Sequence, residues 1–329
     1  MLTSVIICHH KGNLINKALE SLRKSEKVEY EIIIATSVPG IDFKLADKTL
    51  LIYGGPAHKR NIASRFANGE FIAFFDDDVE VKPHTLFYLL DSLKDQKVGM
   101  VFGKLLNMEF RNRFDEAGSF LTSTGFLYAR AESGILDIGQ YEEIVPVLSG
   151  KSAACMIKKN IFWGVGAFDS SYEILAEETD LSWRVWLYGY QVLYVPQSVT
   201  FHAFNTRFKP IDFYIPQRVY FNGCRNYLSM LTTNLSYPKV IQTIFYQLIV
   251  WFLVSMGMLL TGKFEAGFYI LKGLYWYFSN FSYIQSKRHK IQSSRKVSDK
   301  ELFKFILKNP PISYYFKRFF HYIWTGRHG

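Results

Sequence analysis

Three consecutive aspartates, Asp76, Asp77 and Asp78, follow an apolar run in the segment FIAFFDDDVEV (residues 71–81). Three negative charges at the end of a buried strand do not stabilise a fold, so they indicate binding. Residues i and i+2 of an extended chain point to the same side, so we expect Asp76 and Asp78 to converge while Asp77 points elsewhere. Two converging carboxylates suit a hard divalent cation, which can hold a diphosphate. For Asp78 alone, a helix cap or turn residue is the alternative.

A second acidic group lies in EILAEETDLSWR, residues 173–184. Glu177 and Glu178 precede a predicted helix whose first turn contains Asp180. The helix dipole favours negative charge there, so a structural role is one interpretation and a general base is the other. His202 lies in the strand-like VTFHAF, and an isolated histidine is more often structural than a metal ligand.

The elements that position these residues alternate along the chain. Short apolar or β-branched runs predict strands at residues 2–8, 30–35, 50–53, 70–75 and 98–106, and helical spacing predicts helices at 13–25, 57–68 and 82–94. Strands that alternate with helices indicate an α/β fold with an open, mostly parallel sheet. Ligands of such sheets bind beyond the carboxyl ends of the strands, where the aspartates lie.

Charge separates the two ends of the chain. The 329 residues carry a formal charge of +10, and residues 239–329 hold 14 Lys and Arg against three Asp and Glu. A basic, aromatic and apolar region indicates that the chain binds an anionic membrane surface, and no nucleic-acid motif accompanies the charge.

The cysteines and the N-terminus bear on the compartment. Three cysteines without a CxxC motif fit a reducing compartment, and the N-terminus does not resemble a signal peptide.

Residues 240–284 are the candidate membrane segment. Residues 240–261 contain no charge over 22 positions, a break follows, and a second apolar stretch ends in the basic run KRHK. A spanning hairpin over 240–284, helices lying in the interface, and an ordinary helical subdomain are the three interpretations. Both membrane interpretations place the N-terminal domain on the cytoplasmic side. A capping box at Ser298 and Glu301 predicts an amphipathic helix over 300–325.

Taken in order, the segments resemble family 2 glycosyltransferases with the GT-A fold, of the rhamnosyl- and galactofuranosyltransferase type. The matching stretches are SVIICHHKGNLINKALESL, GGPAHKRNIASRFANGEFIAFFDDDVEV, LSGKSAACMIKKNIFWGVGAFDSSYEILAEETDLSWRVWLYGYQVLYVPQSVTFH and YFNGCRNYLSML. They cover residues 3–230 with a gap near 105–145. The resemblance implies a GT-A domain over residues 1–225 and a helical, membrane-associating region over 226–329.

The resemblance also implies roles for individual residues. Asp76, Asp77 and Asp78 match the DxD motif, in which Asp78 would bind Mg²⁺ or Mn²⁺ and the other two would lie against the nucleotide sugar. His202 matches a histidine that completes the metal site. Glu178 matches the catalytic base. The remaining matches are Arg60, near the nucleotide, and the supporting or acceptor-side residues Glu177, Asp180, Trp183 and Arg184.

Two departures from the family pattern concern the nucleobase. Where the family has acidic residues after its second strand, this chain has Thr36 and its neighbours, so base recognition would rest on Thr36 or on backbone groups. His9 and His10 replace a Thr-Tyr pair, and His9 would still line the base pocket. A UDP- or dTDP-linked donor is the expectation.

The implied activity is inverting transfer of a hexosyl or deoxyhexosyl group from a nucleotide-diphosphate sugar to a hydroxyl. The membrane-associating region predicts a polyprenyl-diphosphate-linked glycan as acceptor, in surface polysaccharide or glycan synthesis at the cytoplasmic side of the cell membrane. A polyprenyl-phosphate sugar synthase and an inactive membrane-docked scaffold are the alternatives. The chain lacks the QxxRW motif of processive synthases and the GxGxxG motif of dinucleotide-binding enzymes.

Overall fold

The computed structural model describes residues 1–10, 12–204, 206–207 and 216–325. The chain forms two compact units. Unit 1 comprises Met1–Ser119, Ala129–Glu173 and Glu177–Ile211, and unit 2 comprises Phe120–Tyr128, Ile174–Ala176 and Asp212–Gly329. The structural division thus differs from the predicted boundary after residue 225, because the second unit begins earlier and takes two short stretches from the N-terminal part. The last residues of the predicted region, 326–329, lie outside the described part.

Strands and helices alternate mainly in the N-terminal part of unit 1, as the sequence predicts. Unit 1 begins with β1 (Leu2–His9), α1 (Leu14–Leu22), β2 (Glu29–Thr36), β3 (Lys48–Leu51), α2 (Pro56–Ser64), β4 (Phe71–Asp76), β5 (Val79–Val81), α3 (Thr85–Ser92) and β6 (Val98–Asn107). It continues with β7 (Phe114–Glu116), β8 (Ser119–Leu121), β9 (Leu127–Ala129), β10 (Val145–Pro146), β11 (Ala154–Lys158), α4 (Lys159–Gly164), α5 (Glu177–Leu187) and β12 (Gln191–His202). The chain passes into unit 2 within β8 and returns within β9.

The central sheet has the strand order β10-β12-β6-β11-β4-β1-β2-β3. Strands β1 to β4 run parallel, β12 runs parallel to β6, and β11 is antiparallel to both of its neighbours. Helices cover the sheet, so the apolar runs of the central strands are buried on both faces, as in β1 and β4. The structure confirms the predicted α/β fold with a mostly parallel sheet.

The register of this sheet gathers polar residues at one edge. His9 at the end of β1 pairs with Thr36 at the end of β2, and Cys8 pairs with Asp76 at the end of β4. Because parallel strands end on the same side, these carboxyl ends form one edge. The position predicted for the ligand is therefore built from three strands.

Two helix starts differ from the sequence-based expectation, which has Asn13 as the N-cap of α1 and the acidic pair before α5. Asn13 occupies the N-cap position of α1, but its backbone is helical (φ −98°, ψ −5°) and its side chain makes no cap hydrogen bond. An N-cap side chain reaches the first turn from an extended backbone, which Asn13 lacks. Helix α5 starts at Glu177 rather than after the acidic pair, so both glutamates lie within its first turn.

Unit 2 is helical. Its helices are α6 (Pro216–Asn234), α7 (Lys239–Leu260), α8 (Phe264–Ser279), α9 (Phe281–Ser293), α10 (Asp299–Ile306) and α11 (Ile312–Thr325). Helices α7 and α8 form a helical pair over the predicted hairpin, joined by residues 261–263. Within the described ranges, α7 alone is long and apolar enough to cross a membrane. That the pair spans a bilayer stays a prediction.

The end of α6 is closed by side chains of α9. Arg288 donates to the carbonyl oxygens of Thr232 and Leu235, the latter at 2.6 Å, and Gln292 donates to that of Thr233 at 2.8 Å. The last carbonyls of a helix have no partner within the helix, so these donors satisfy buried acceptors. Part of the basic character of unit 2 thus serves its own packing.

The C-terminal segment contains two helices where one was expected over 300–325. The predicted capping box is present, since the Ser298 hydroxyl accepts from the Glu301 backbone and the Glu301 carboxylate accepts from the Ser298 backbone. Helix α10 nevertheless ends at Ile306. Pro310 and Pro311 interrupt the pattern, because a proline lacks the amide hydrogen and disfavours helical backbone before it.

Glu31 links three segments at the other end of the sheet. Its carboxylate accepts hydrogen bonds from the Ser4 hydroxyl (2.6 Å), the Asn68 backbone (2.6 Å) and Lys48 (3.1 Å). Burial alone would raise the pKa of Glu31, but these donors outweigh it and hold the pKa below its ordinary value. The ionised form therefore stabilises the native state.

We expect Glu31→Gln to lower the free energy of unfolding by about 2 kcal/mol near neutral pH. The stabilisation by the ionised carboxylate is complete above the pKa of the unfolded chain and is lost as the pH falls through the folded-state pKa. Urea unfolding across a pH series should show the two proteins converging in acid. Glu29→Gln, an exposed change in the same strand, is the control, and a pH-independent difference would contradict the assignment.

Candidate active site

The three aspartates lie where β4 ends and the chain turns into β5. Strand β5 pairs antiparallel with the end of β12, with Val79 opposite His202. This pairing brings His202 beside the aspartates, although His202 is distant from them in sequence. Ligand atoms of Asp76, Asp78 and His202 all lie within 4.8 Å of one another.

The middle aspartate is directed elsewhere, as the alternation of side chains along a strand predicts. The Asp77 carboxylate accepts a hydrogen bond from the His10 backbone amide at 3.2 Å, at the end of β1. Asp78 is buried, whereas Asp76 remains partly accessible. The geometry predicted for Asp76 and Asp78 is thus present, and Asp76 joins the predicted metal residues Asp78 and His202.

A buried carboxylate orients the histidine. The His202 Nδ1 lies 2.8 Å from an Asp115 carboxylate oxygen, and Nε2 lies 3.4 Å from Asp78 Oδ1 and 3.9 Å from Asp76 Oδ2. Asp115 also accepts from Lys151 at 2.6 Å. A carboxylate behind one ring nitrogen fixes the other as the ligand atom of a metal-binding histidine.

These donors fit a divalent cation. Burial would lower the pKa of His202, but the carboxylates of Asp78 and Asp115 raise it to about 10, so a cation would replace a proton held by the imidazole. Two carboxylates and one imidazole are ligands for Mn²⁺, and the carboxylates alone suit Mg²⁺. The residues present are therefore consistent with either metal.

Arg60 on α2 joins the aspartates to the second acidic group. Its Nη2 donates to Asp76 Oδ1 at 2.7 Å, and its Nη1 lies 3.9 Å from Glu177 Oε1. The side chain is almost fully buried and packs against the Phe168 ring, 5.4 Å from its centroid. Nε and Nη1 lack a hydrogen-bond partner among the described residues. A buried guanidinium with two unused N–H donors can donate hydrogen bonds to further anionic oxygen atoms.

The acidic pair follows a strained turn. Leu175 and Ala176 both have φ of +69°, a left-handed conformation that residues with a Cβ rarely adopt. Glu177 and Glu178 come next and open α5. Two successive left-handed residues thus stand just before the acids, and such strain clusters at functional sites.

Burial governs the protonation of this pair. Desolvation raises the pKa of Glu177 although Arg60 opposes it. Desolvation, and then the neighbouring Glu177 carboxylate, raise the pKa of Glu178 to about 8. A carboxyl group with a pKa near neutrality can both accept and retain a proton, which is the property of a general base.

The residues predicted to line the base pocket form a buried pair. The Thr36 hydroxyl lies 3.0 Å from His9 Nδ1 and accepts from the Val38 backbone at 3.0 Å. The His9 carbonyl in turn accepts from Lys59 at 2.9 Å. Thr36 is therefore engaged within the protein, and any contact to a nucleobase through its hydroxyl would have to displace one of these bonds.

Three residues named from the resemblance brace α5. Asp180 forms a 2.7 Å ion pair with Arg184 one turn later, and Arg184 also donates to the Val165 carbonyl at 2.5 Å. Trp183 is completely buried in the core. These contacts fix the helix that carries Glu177 and Glu178.

No sequence motif marks Asp115 or Lys151 as part of the site. Asp115 lies between residues 105 and 145, where the resemblance lapses, and its only signal is the acidic pair in RFDEAG. Lys151 follows a glycine in LSGKSA and carries no motif of its own. Both are recognisable only after the fold places them behind His202.

Solved structures share this fold at low identity. A crystal structure of GalNAc-T7 with UDP, GalNAc and Mn²⁺ superposes with a TM-score of 0.60 and 13% identity, covering 96% of this chain and 57% of that one. The mannosyltransferase PcManGT from Pyrobaculum calidifontis, in complex with GDP-Man and Mn²⁺, gives 0.52 and 15%, covering 92% and 87%. The likeness shows the GT-A fold.

Sequence comparison identifies the family. A probable N-acetylgalactosaminyltransferase 8 from Caenorhabditis elegans is 28% identical over 236 residues, which is 62% of this chain and 55% of the relative. The chain spans about half the length of the curated relatives it matches. The model of the glycosyltransferase like family 2 matches residues 25–247, more than half of the chain. This protein therefore belongs to glycosyltransferase family 2 and has the GT-A fold.

Proposed function

We propose that the protein is a metal-dependent, inverting glycosyltransferase that moves a hexosyl or deoxyhexosyl group from a nucleotide-diphosphate sugar to an acceptor hydroxyl. The observation that carries the proposal is the arrangement around Arg60, which contacts Asp76 of the metal cluster and approaches Glu177 of the acidic pair. The metal cluster suits the binding of a diphosphate leaving group, and the acidic pair suits the removal of a proton. Membership of the family supports this assignment.

Asp76, Asp78 and His202 would hold the cation, with Asp115 orienting the imidazole. The bound cation would stabilise the charge that develops on the departing diphosphate. The titles of two structural neighbours name Mn²⁺ together with UDP or GDP-Man. The imidazole in the donor set favours Mn²⁺ over Mg²⁺.

The protein's own side chains carry the remaining steps. The unused donors of Arg60 would hold an oxygen of the nucleotide sugar, and Asp77, His9 and Thr36 at the strand ends would lie along the nucleotide. Glu178 would take the proton of the acceptor hydroxyl as that oxygen attacks the anomeric carbon. A single attack opposite the departing diphosphate inverts the anomeric configuration.

For the acceptor we propose a polyprenyl-diphosphate-linked glycan, used at the cytoplasmic side of the cell membrane, and for the donor a UDP- or dTDP-linked sugar. The basic and aromatic C-terminal region supports a lipid-linked acceptor, because a membrane-bound enzyme meets such acceptors in two dimensions. A poly-β-1,6-N-acetyl-D-glucosamine synthase among the relatives fits glycan synthesis.

We expect Asp78→Asn to weaken Mn²⁺ binding by at least about 100-fold, because it removes the charge of a buried ligand. Electron paramagnetic resonance titration of free Mn²⁺ measures this without any sugar donor. Asp91→Asn on the exposed side of α3 is the matched control and should leave binding unchanged. Equal Mn²⁺ affinity in wild type and Asp78→Asn would remove the cluster from consideration as a metal site.

Glu178→Gln should reduce transfer by about 10²- to 10⁴-fold while the nucleotide sugar still binds in the presence of Mn²⁺, because the amide cannot accept the proton. Single-turnover transfer assays and calorimetry separate the two effects. The control is Glu132→Gln, an exposed glutamate remote in sequence from the pair. Undiminished transfer to a polyprenyl phosphate would instead support a polyprenyl-phosphate sugar synthase, whose acceptor requires less base catalysis.

Transfer should also depend on pH, because only the ionised Glu178 can accept a proton. With the pKa of Glu178 raised to about 8, we expect kcat/KM to rise with pH through that region and then level off. Glu177→Gln removes the neighbouring carboxylate and should move the midpoint to lower pH. A midpoint that does not move in this variant would contradict the coupling of the two acids.

A further inference from the structure

Three polar residues of helix α7 lie on its buried side, whereas Gln242 near its start is exposed. Thr243, Gln247 and Ser255 are all buried within unit 2. The Gln247 amide donates to the Thr124 carbonyl at 3.0 Å, and the Ser255 hydroxyl donates to the Gly267 carbonyl at 2.8 Å. A surface helix in water places most of its polar residues outward, so the three buried polar residues of α7 depart from that pattern.

The outward side of α7 is apolar over most of its length. Ile241, Phe245, Ile249, Phe252 and Leu253 recur at helical spacing, each with 44–63% of its surface exposed. A run of this length exceeds the isolated apolar residues that are normal on a soluble surface. It indicates that this side of the helix meets something other than water.

Two helices that pack on α7 also expose apolar residues on their outward sides. Helix α11 contacts α7 where Ile323 lies against Gly257, and it exposes Ile312, Phe316 and Phe320 at a spacing of one turn. Helix α8 packs its Gly267 against Leu259 of α7. The exposed aromatic residues of α8 are Phe264, Phe268, Tyr275 and Phe278. We call the outward sides of α7, α8 and α11 together the aromatic face.

The charge of the surrounding region indicates what binds the aromatic face. Residues 239–329 hold 14 basic against three acidic residues, which complements an anionic surface. Lys272 lies among the exposed aromatic rings of α8, with its Nζ 4.8 Å from the Phe268 centroid and 5.0 Å from that of Tyr269. A lysine beside aromatic rings can bury its apolar stem with them in the membrane interface while its ammonium group reaches a lipid phosphate.

The packing of the inner side of α7 indicates whether the helix lies in the membrane plane or spans the bilayer. Its buried residues, Trp251, Val254 and Met258 among them, belong to the core that α6, α7 and α8 share. Only one side of the helix is therefore available to lipid. A helix with one lipid-facing side lies in the membrane interface, whereas a spanning helix meets lipid or other spanning helices along its length.

We propose that the aromatic face docks in the plane of an anionic bilayer and embeds in one leaflet. Its apolar side chains enter the acyl boundary, and Lys272 meets an acidic headgroup. The inference concerns unit 2 by itself and does not depend on the proposed transfer reaction.

The test measures binding of the full-length protein to vesicles by flotation, without nucleotide sugar. Vesicles of phosphatidylcholine with phosphatidylglycerol should bind wild type, and pure phosphatidylcholine vesicles should bind it more weakly. The triple substitution Phe245→Ser, Ile249→Ser and Phe252→Ser should weaken binding at least about tenfold, because it removes apolar area that lipid would cover. Undiminished binding by this variant overturns the proposal.

The matched control makes the same chemical change on unit 1. Leu136, Ile138 and Ile144 are exposed apolar residues there, and their replacement by serine should leave vesicle binding unchanged. Circular dichroism melting of both variants shows whether unit 2 remains folded. If the control weakens binding as much as the test variant, general surface hydrophobicity accounts for the binding and the proposal fails.

Two further results would overturn the proposal in a different way. An alkaline carbonate wash should release the protein from vesicles, because an in-plane helix has no spanning segment, and retention would mean that α7 crosses the bilayer. Light scattering without lipid should show no dimer that depends on the aromatic face. A dimer that the triple serine substitution dissociates would identify a second copy of the chain as the occupant.

Discussion

The buried guanidinium of Arg60 is the interaction on which the site depends. It lies between Asp76, which belongs to the candidate metal cluster, and Glu177, which belongs to the acidic pair. Negative groups repel one another in a water-poor environment, and the fixed cation between them offsets that repulsion. A buried ion pair contributes little net stability but is costly to break, so such an arrangement is better explained by function than by folding. Arg60 therefore allows one small region to hold two groups of acids.

The sheet supplies the frame for this arrangement. Parallel strands end on one side, which puts the ends of β1, β2 and β4 together, and the antiparallel pairing of β5 with β12 then adds His202. The acids of α5 come from a separate helix, braced by the Asp180–Arg184 pair and the buried Trp183. No single segment of the chain contains the site. Its precision depends on the packing of unit 1 as a whole.

The α/β fold and the convergence of two aspartates could be predicted from the sequence, because both follow from periodicity. The alternation of strands and helices gave the α/β sheet, and the two-residue period of a strand predicted that Asp76 and Asp78 converge. His202 could be assigned only through the resemblance, because nothing near it in sequence marks a ligand. Asp115 and Lys151 left no pattern, since their partners lie far along the chain. The left-handed Leu175 and Ala176 were equally hidden, because that conformation normally calls for glycine.

The closure of α6 by α9 changes how the charge of unit 2 should be counted. Arg288 is buried against backbone carbonyls, and Arg295 is paired with Asp299. These two cations contribute to the isoelectric point but offer little to a phosphate group outside the protein. The positive charge that unit 2 can present to an anionic surface is therefore smaller than its formal charge. Release of counterions, and with it the sensitivity of any surface association to ionic strength, would scale with that smaller number.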